Sequence, residues 1–377
     1  MITATYAKFF AKIIAVVTAV IAVFGSFVPS TTKDAASYYD ANIKNVIFLI
    51  GDGMGYNHLA KTKKELGCSL VMETFPYKGS SRTRSLTDLT TDSAAGGTAL
   101  SIGIHTANES VGVFYQDRKG QYYVPKNLSE YFKEKGKLTG IVTTDETTGA
   151  TPSDFSAHCE SRYNPEELTA DQMASRLDLI WGGTNGVATK EMAEKAGFTY
   201  VTDYNGLMAL KPGARSYAQF ANPTWTLTQS EPNTPNLEQM VSKAIELLNT
   251  TDNGFFLMIE GAHIDKNSHK NNSKTMTQAL KEFDKTVSVA LDFAKKDGHT
   301  LVVITADHET GGITLNSSGS YVFTQGYHSA VAVPVFVYGS SKIIANGETV
   351  NNYDIPRRIA YLTGATEEQF PCAVKVS

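Results

Sequence analysis

Acidic and imidazole side chains follow three apolar segments of this chain. In an open parallel α/β sheet, ligand sites form beyond the carboxyl ends of the strands, so these side chains are expected on one rim. Several carboxylates on one rim repel each other unless a cation neutralises them. The sequence therefore predicts a cation site. The segments and their side chains are 45–50 with Asp52, 255–259 with Glu260, and 301–304 with Asp307 and His308.

Two further candidate ligands stand four residues apart in the segment after Glu260. Asp265 and His269 would share one face of a helix, which suits two ligands of one metal. The alternative is a solvated ion pair between these two side chains. Asp and His ligands without Cys are typical of catalytic zinc, whereas a carboxylate-rich pocket with a hydroxyl group suits magnesium.

Ser93 is a candidate nucleophile in the segment Thr-Thr-Asp-Ser-Ala-Ala-Gly-Gly at 90–97. The small residues after it suit the first turn of a closely packed helix, whose N–H groups could face an anion. The alternative is that Ser93 or Asp92 is a helix N-cap without a further role. The chain has no Gly-x-Ser-x-Gly motif, so a Ser-His-Asp hydrolase is not supported.

The glycine-rich loop at 51–55 also has alternative interpretations. It could be a simple tight turn, or it could cradle a dinucleotide. The dinucleotide fingerprint requires a third glycine where this chain has Tyr56, which argues against that interpretation.

The elements that position these residues follow from short apolar runs rich in β-branched residues. Such runs are expected of strands buried on both faces of a mainly parallel sheet. Helical patterns lie between them, which predicts an α/β three-layer sandwich with helices on both sides of the sheet. A segment at about 182–235, rich in Gly, Pro, Asn and Thr, is predicted to be an irregular insertion in a catalytic domain spanning 41–377. The strand-like runs are 45–50, 140–143, 255–259, 301–304 and 333–337, and the helical patterns are 128–135, 237–248 and 275–296.

The composition is that of a folded globular protein. Of the 377 residues, 42% are hydrophobic and 19% are charged, and the formal net charge is −4. This balance argues against a disordered chain and against dedicated nucleic-acid binding. The three cysteines, Cys68, Cys159 and Cys372, form no Cys-x-x-Cys pair, which excludes zinc sites built on such pairs.

The N-terminal segment at 1–30 is typical of a secretory signal. Lys8 and Lys12 precede an apolar run at 13–28, and Pro29 ends it. An uncleaved membrane anchor is the alternative, because the run is close to the shortest length that spans a bilayer. We therefore expect export, with membrane attachment only through this segment.

From about residue 44 to residue 339 the sequence resembles the alkaline phosphatase family, metal-dependent phosphomonoesterases with two zinc ions and one magnesium ion. The resemblance implies that Ser93 is the phosphorylated nucleophile. It also implies that Arg162, four residues after the His of Ala157-His158, clamps the substrate phosphate. Lys266 matches a residue that contacts phosphate, directly or through water, in some members of the family. The metal ligands it implies are Asp265, His269 and His328 for the first zinc, Asp307, His308 and Asp52 for the second, and Asp52, Thr151 and Glu260 for magnesium.

One position departs from the family pattern. Many relatives carry Asp or His two residues before the hydroxyl ligand, where this chain has Gly149. Asp145, Glu146 or Asp154 are candidates to compensate. A Lys266 without an acidic partner would lie nearer the phosphate, and inorganic phosphate would then inhibit tightly.

The resemblance further implies small phosphomonoester substrates, inorganic phosphate as product, a homodimer, and a periplasmic, cell-surface or extracellular location in a bacterium. A related phosphodiesterase and a non-catalytic phosphate-binding protein remain the alternatives. Arg162 favours a terminal phosphate over a diester, and the complete set of zinc ligands with Ser93 argues against lost catalysis.

Overall fold

A ten-stranded sheet organises the protein. The computed structural model describes residues 34–221, 233–371 and 373–376. The strands are β1 (Asn45–Ile50), β2 (Tyr77–Arg82), β3 (Tyr123–Pro125), β4 (Leu138–Glu146), β5 (Leu179–Gly183), β6 (Thr199–Val201), β7 (Ser216–Phe220), β8 (Phe255–Glu260), β9 (Thr300–Thr305), β10 (Glu309–Thr310), β11 (Thr314–Leu315), β12 (Tyr321–Val322), β13 (His328–Ser329), β14 (Val333–Tyr338), β15 (Thr349–Asn351) and β16 (Ala373–Val376). The strand order in the ten-stranded sheet is β15-β2-β14-β9-β1-β8-β4-β5-β7-β6.

Helices cover both faces of this sheet. The α-helices are α1 (Tyr56–Leu66), α2 (Ser93–Ile102), α3 (Leu128–Glu134), α4 (Ala150–Asp154), α5 (Pro165–Ala174), α6 (Lys190–Lys195), α7 (Tyr204–Ala209), α8 (Leu237–Leu248), α9 (His263–His269), α10 (Ser273–Asp297) and α11 (Asp354–Leu362). Alternate residues of β1 pack on opposite sides, since side chains of a strand alternate between faces. Leu49 joins the core formed with α8 and α10, and Phe48 joins the core formed with α3 and α11. The predicted three-layer α/β fold is therefore confirmed.

The central strands bring the candidate ligands to one rim. β1 lies between β8 and β9 and is parallel to both, with Ile50 in register with Glu260 on one side and Thr305 on the other. The residues that follow Ile50 and Thr305 therefore emerge beside Glu260. Among the described strands of the sheet, β14 runs antiparallel to both of its neighbours, β2 and β9.

The segment at 182–235 differs from its prediction as an irregular insertion. Its described residues include β6 and β7, which extend the main sheet beside β5 in parallel register. Residues 216–220 are all buried, although the sequence Ser-Tyr-Ala-Gln-Phe mixes polar and apolar types. Their polar groups are paired inside the protein, which is why hydrophobicity alone gave a weak signal: the Ser216 hydroxyl accepts from Trp181 Nε1 at 2.9 Å, and the Gln219 amide donates to Thr147.

The predicted signal or anchor at 1–30 lies outside the described residues. Within the part of the chain that the structure describes, no helix combines the length and apolar character needed to cross a bilayer. Cys68 is exposed and Cys159 is buried, and both are free thiols. Cys372 also lies outside the described residues.

Candidate active site

Three strand ends and one helix start form the site. Asp52 follows β1, Glu260 ends β8, and Asp307 and His308 follow β9. The turn after Asp52 requires glycine, because Gly53 has a positive φ (+72°) that residues with a side chain rarely adopt. A Cβ at Gly53 would also lie only 2.8 Å from Thr310 Oγ1. The close approach of the two strand ends therefore depends on this position.

Asp52, Asp307 and His308 form a group that we call the inner cluster. Their ligand atoms all lie within 4.8 Å of one another. Nε2 of His308 is 3.2 Å from Asp307 Oδ2 and 3.6 Å from Asp52 Oδ1. Neither of these carboxylate oxygens has a hydrogen-bond partner among the described residues, and all three side chains are buried. Buried carboxylate oxygens without partners are costly, so the inner cluster fits a bound cation.

The pKa shifts of the inner cluster also indicate a site for a bound cation. Burial, followed by repulsion from Asp307 and Asp265, raises the pKa of Asp52 well above its usual range. Burial and the Asp265 charge raise the pKa of Asp307 to about 7. Burial lowers the pKa of His308, which keeps its imidazole neutral. The inner cluster thus carries carboxylates with too little positive charge around them.

Asp265, His269 and His328 form the outer cluster. Nε2 of His269 lies 3.0 Å from Nε2 of His328 and 3.3 Å from Asp265 Oδ2. The other ring nitrogens face backbone carbonyls, Nδ1 of His269 at Gly326 (2.8 Å) and Nδ1 of His328 at Thr91 (3.0 Å). Because a carbonyl oxygen only accepts, each Nδ1 donates, so in the neutral imidazoles the two Nε2 lone pairs face each other, whereas a protonated His269 donates from Nε2 to Asp265. This is the usual arrangement of metal-binding histidines.

The outer cluster is better balanced in charge than the inner one. Burial acts to raise the pKa of Asp265, but the hydrogen bond with His269 and the nearby imidazoles hold it below its usual range. The same hydrogen bond raises the pKa of His269 to about 8. The His269 side chain is 40% exposed, whereas that of His308 is fully buried.

Thr310 joins the two clusters. Its hydroxyl donates to Asp265 Oδ1 and lies 3.3 Å from Nδ1 of His308. His308 belongs to both candidate metal groups, since one of its ring nitrogens also lies within 4.8 Å of ligand atoms of Asp265 and His328. The structure therefore brings all six predicted zinc ligands together.

Ser93 is the first residue of α2 and lies beside the inner cluster. Its Oγ is 3.1 Å from Nε2 of His308, and the side chain is buried. Asp92 caps the helix by accepting from Ala95 N–H at 3.0 Å. Gly96, one turn on, lies against Asp307, where a Cβ would be 2.8 Å from the backbone oxygen. The small residues of α2 thus let the serine approach the carboxylates.

Asp92, the residue before Ser93, links Arg162 to the start of α2. Nη1 of Arg162 donates to Asp92 Oδ2 at 3.1 Å, and the Arg162 backbone N–H donates to the Glu109 carbonyl at 2.9 Å. The N–H of Glu109 in turn donates to the Asp92 carboxylate. The guanidinium is partly exposed, so its other N–H groups can face a ligand. From the sequence, Asp92 is a candidate helix cap, and its contact with Arg162 is not predicted.

Glu260 and Thr151 fit the predicted magnesium site. Glu260 accepts from Thr143 Oγ1, and burial together with the Asp145 charge raises its pKa to about 8. Thr151 is 1% exposed, and its hydroxyl has no hydrogen-bond partner within the described ranges. An orphaned hydroxyl and a buried carboxylate are oxygen ligands suited to a hard cation.

Lys266 is not free of an acidic partner, contrary to the expectation from Gly149. Its Nζ forms an ion pair with Asp145 Oδ1. A Cβ on Gly149 would lie 2.6 Å from Asp145 Oδ2, so the Asp145 carboxylate takes up the space of a side chain at that position. Since Lys266 has an acidic partner, the reason to expect tight inhibition by inorganic phosphate no longer holds. Sequence spacing could not show this, because the turn at 146–149 folds Gly149 back onto the end of β4.

Comparison with known proteins identifies one family over most of the chain. The alkaline phosphatase family model matches residues 43–181 and 182–326. Alkaline phosphatase 4 of Bacillus subtilis is 34% identical over 377 residues, covering 91% of this chain and 77% of its own. The structure of alkaline phosphatase from the Antarctic bacterium TAB5 superposes with a TM-score of 0.75 at 32% identity, covering 86% of this chain and 99% of that chain. A His-to-Glu mutant of the TAB5 enzyme, with Mg bound in its M3 site, superposes with a TM-score of 0.74 at 32% identity over the same shares of the two chains.

The α/β fold and a rim of carboxylates, imidazoles and a helix-borne serine place the protein among the hydrolases. The chain belongs to the alkaline phosphatase family, whose members are phosphomonoester hydrolases. The family predicted from the sequence motifs is thereby confirmed.

Proposed function

We propose that this enzyme hydrolyses phosphate monoesters to an alcohol and inorganic phosphate through a phosphorylated Ser93. The observation that carries the proposal is the convergence on Nε2 of His308: Ser93 Oγ lies 3.1 Å away, Asp307 Oδ2 3.2 Å and Asp52 Oδ1 3.6 Å. In a Ser-His-Asp triad the acid would contact the other ring nitrogen. Here Nδ1 of His308 contacts Thr310 instead. The arrangement therefore supports a role of Asp52, Asp307 and His308 as ligands of one cation.

The residues present fit two zinc ions and one magnesium ion. The inner cluster would hold one zinc, the outer cluster the other, and Asp52, Thr151 and Glu260 the magnesium. When bound, such cations supply positive charge that stabilises oxygen anions and lowers the pKa of a serine hydroxyl or water. The comparison supports metal dependence, because the similar TAB5 mutant was solved with Mg bound.

The proposed reaction has two steps, in which Ser93 and then water attack phosphorus. Ser93 Oγ loses its proton and attacks phosphorus, the bond to the ester oxygen breaks, and this oxygen takes up a proton from water as the alcohol leaves. Water then attacks the phosphoserine and releases inorganic phosphate and free Ser93. Arg162, oriented by Asp92, would bind two phosphoryl oxygens through its planar fork of donors.

Turnover of p-nitrophenyl phosphate at mildly alkaline pH tests the proposal, using enzyme as purified, after EDTA, and after restoring Zn²⁺ and Mg²⁺. We expect EDTA to abolish activity and the metals to restore it. Ser93→Ala should reduce turnover to background, whereas Ser101→Ala should retain it. Ser101 is a matched control, because it lies buried on the same helix and its hydroxyl donates to the carbonyl of Thr98.

Two results would contradict the proposal. A folded, metal-restored enzyme without monoester turnover would refute it, and faster cleavage of bis-p-nitrophenyl phosphate would indicate a diesterase. Retained activity in Ser93→Ala would refute the phosphoserine alone.

We also propose export to the periplasm, cell surface or medium, and assembly as a homodimer. Export is supported by the charge and apolar pattern of residues 1–30, and the dimer by the family alone. Cell fractionation and light scattering test these two proposals. Intracellular activity or a monomer would contradict them.

A further inference from the structure

Asp145 occupies the space that opens where Gly149 lacks a side chain. Its Oδ2 would be 2.6 Å from a Cβ on Gly149, and its Cγ would be 2.8 Å away. The backbone of Gly149 has a φ of −52° and a ψ of 154°, close to the polyproline II conformation, and a negative φ of this kind does not require glycine. The glycine is therefore required by the neighbouring carboxylate and not by the backbone.

The position of Asp145 is fixed from several sides. Its backbone N–H donates to Thr143 Oγ1 at 2.8 Å, and that same hydroxyl donates to Glu260. Its Oδ1 accepts from Glu146 N–H at 2.7 Å and pairs with Lys266. These contacts tie the Asp145 carboxylate to the same rim as Glu260, at the ends of two paired strands, β4 and β8.

Gly149 also stands directly before α4, the helix that carries Thr151. The Asp145 carboxylate thus lies against the residue that precedes the Thr151 helix, and its strand, β4, pairs with β8, which carries Glu260. It is close enough to Glu260 to be the second largest influence on that group's pKa, after burial.

We propose that Asp145 replaces the missing side chain at position 149, supplying a carboxylate to the magnesium site beside Glu260 and Thr151 and holding Lys266 as its counter-ion. This inference rests on the proposed function, since it assigns a residue to the same metal site. Neither Glu146 nor Asp154 takes this role: Glu146 is exposed, and Asp154 turns toward α2, where its Oδ1 accepts from Thr98 at 2.7 Å.

Mg²⁺ affinity of the zinc-saturated, full-length enzyme, measured by titration calorimetry, tests the inference without using activity. Asp145→Asn should weaken Mg²⁺ binding by about 10- to 100-fold, the usual effect of removing a supporting group from a metal site. Glu146→Gln removes the same charge one residue away, and as an exposed change it should alter affinity by less than about twofold.

Moving the carboxylate from position 145 to position 149 gives the strictest test of the inference. Gly149→Asp alone places two carboxylates in one space and should weaken Mg²⁺ binding. Asp145→Ala with Gly149→Asp moves the carboxylate to the other position and should recover most of the affinity lost in Asp145→Ala. The methyl group left at position 145 would stay where the Asp145 Cβ is now, 3.1 Å from the new Cβ, so a small shift is needed.

Unchanged Mg²⁺ affinity in Asp145→Asn would overturn the inference, as would failure of the exchange to recover affinity in a folded protein. Turnover of p-nitrophenyl phosphate by the unmodified enzyme separates this result from the proposed function. Turnover with Mg²⁺ binding independent of Asp145 refutes the inference alone. Mg²⁺ binding dependent on Asp145 without turnover refutes the phosphomonoesterase proposal alone.

Discussion

The inner and outer clusters are built from the same side-chain types but differ in burial and in charge balance. The inner cluster is buried, and two of its carboxylate oxygens lack partners within the described part of the chain. The outer cluster pairs one carboxylate with two imidazoles, and His269 is 40% exposed. Water can take the place of a ligand at an exposed site, but hardly at a buried one. The inner cluster should therefore depend more strictly on each of its ligands.

Loss of an inner carboxylate should have the largest effect. Asp307→Asn should lower kcat/KM by at least about 100-fold, since even supporting groups of metal sites cost about 10- to 100-fold. Excess Zn²⁺ should not restore the activity. Steady-state kinetics with p-nitrophenyl phosphate at several zinc concentrations provide the measurement. Recovery to the unmodified rate in excess zinc would show that the inner cluster is as tolerant as the outer one.

Loss of an outer imidazole should have a smaller and reversible effect. His269→Gln should lower activity by about tenfold at low zinc, in the range known for weakened metal sites, and added Zn²⁺ should restore most of it. The same kinetic series checks this result. A loss equal to that of Asp307→Asn, without rescue, would contradict the distinction between the clusters.

A substitution of Thr310 tests the hydroxyl group that connects the two clusters. Thr310→Val keeps the shape but removes the hydroxyl that bridges Asp265 and His308. Buried polar atoms are then left unpaired, at a cost of about 1 to 3 kcal/mol. Urea unfolding of the metal-free protein should show this loss. Wild-type stability in the variant would mean that the hydroxyl contributes no net stabilisation.

The smallest effect concerns pH. Raised folded-state pKa values of about 7 for Asp307 and about 8 for Glu260 mean that the metal-free folded protein holds protons that the unfolded chain has released. Stability should therefore fall as pH rises from 7 to 8, and level off by pH 9 once the folded protein has released them too. His269, with a pKa of about 8, acts in the same direction. His308, whose pKa is lowered, is neutral throughout this range.

Calorimetric Tm values after EDTA treatment measure this dependence. Glu260→Gln should flatten the decrease between pH 7 and 8 by removing one of the contributing groups, and saturating metals should also reduce it. A metal-free Tm that rises over this range, or a Glu260→Gln variant with the full decrease, would contradict the predicted charge imbalance.

The sequence predicted most of the sheet centre and the residues at its rim. Buried strands such as β1 and β8 give continuous apolar runs, and a ligand at a strand end has a position set by the strand. β7 was missed because its polar residues bond to Trp181 and Thr147 inside the protein.

The contacts of Asp145 were also beyond prediction, since they depend on how a turn folds back in space. The same holds for Asp92 and Thr310, whose roles become visible only when distant segments meet. The sequence signal for Thr310 was its position two residues after His308, which places both side chains on one face of an extended segment.

The packing of Gly96 against the Asp307 backbone has a consequence for protein engineering. Any side chain at position 96 would act as a spacer between the helix that carries the nucleophile and the strand end that carries its cation ligands. Libraries that vary only groups touching the substrate would overlook this position, yet one added methyl group there would reset the distance between Ser93 and the inner cluster.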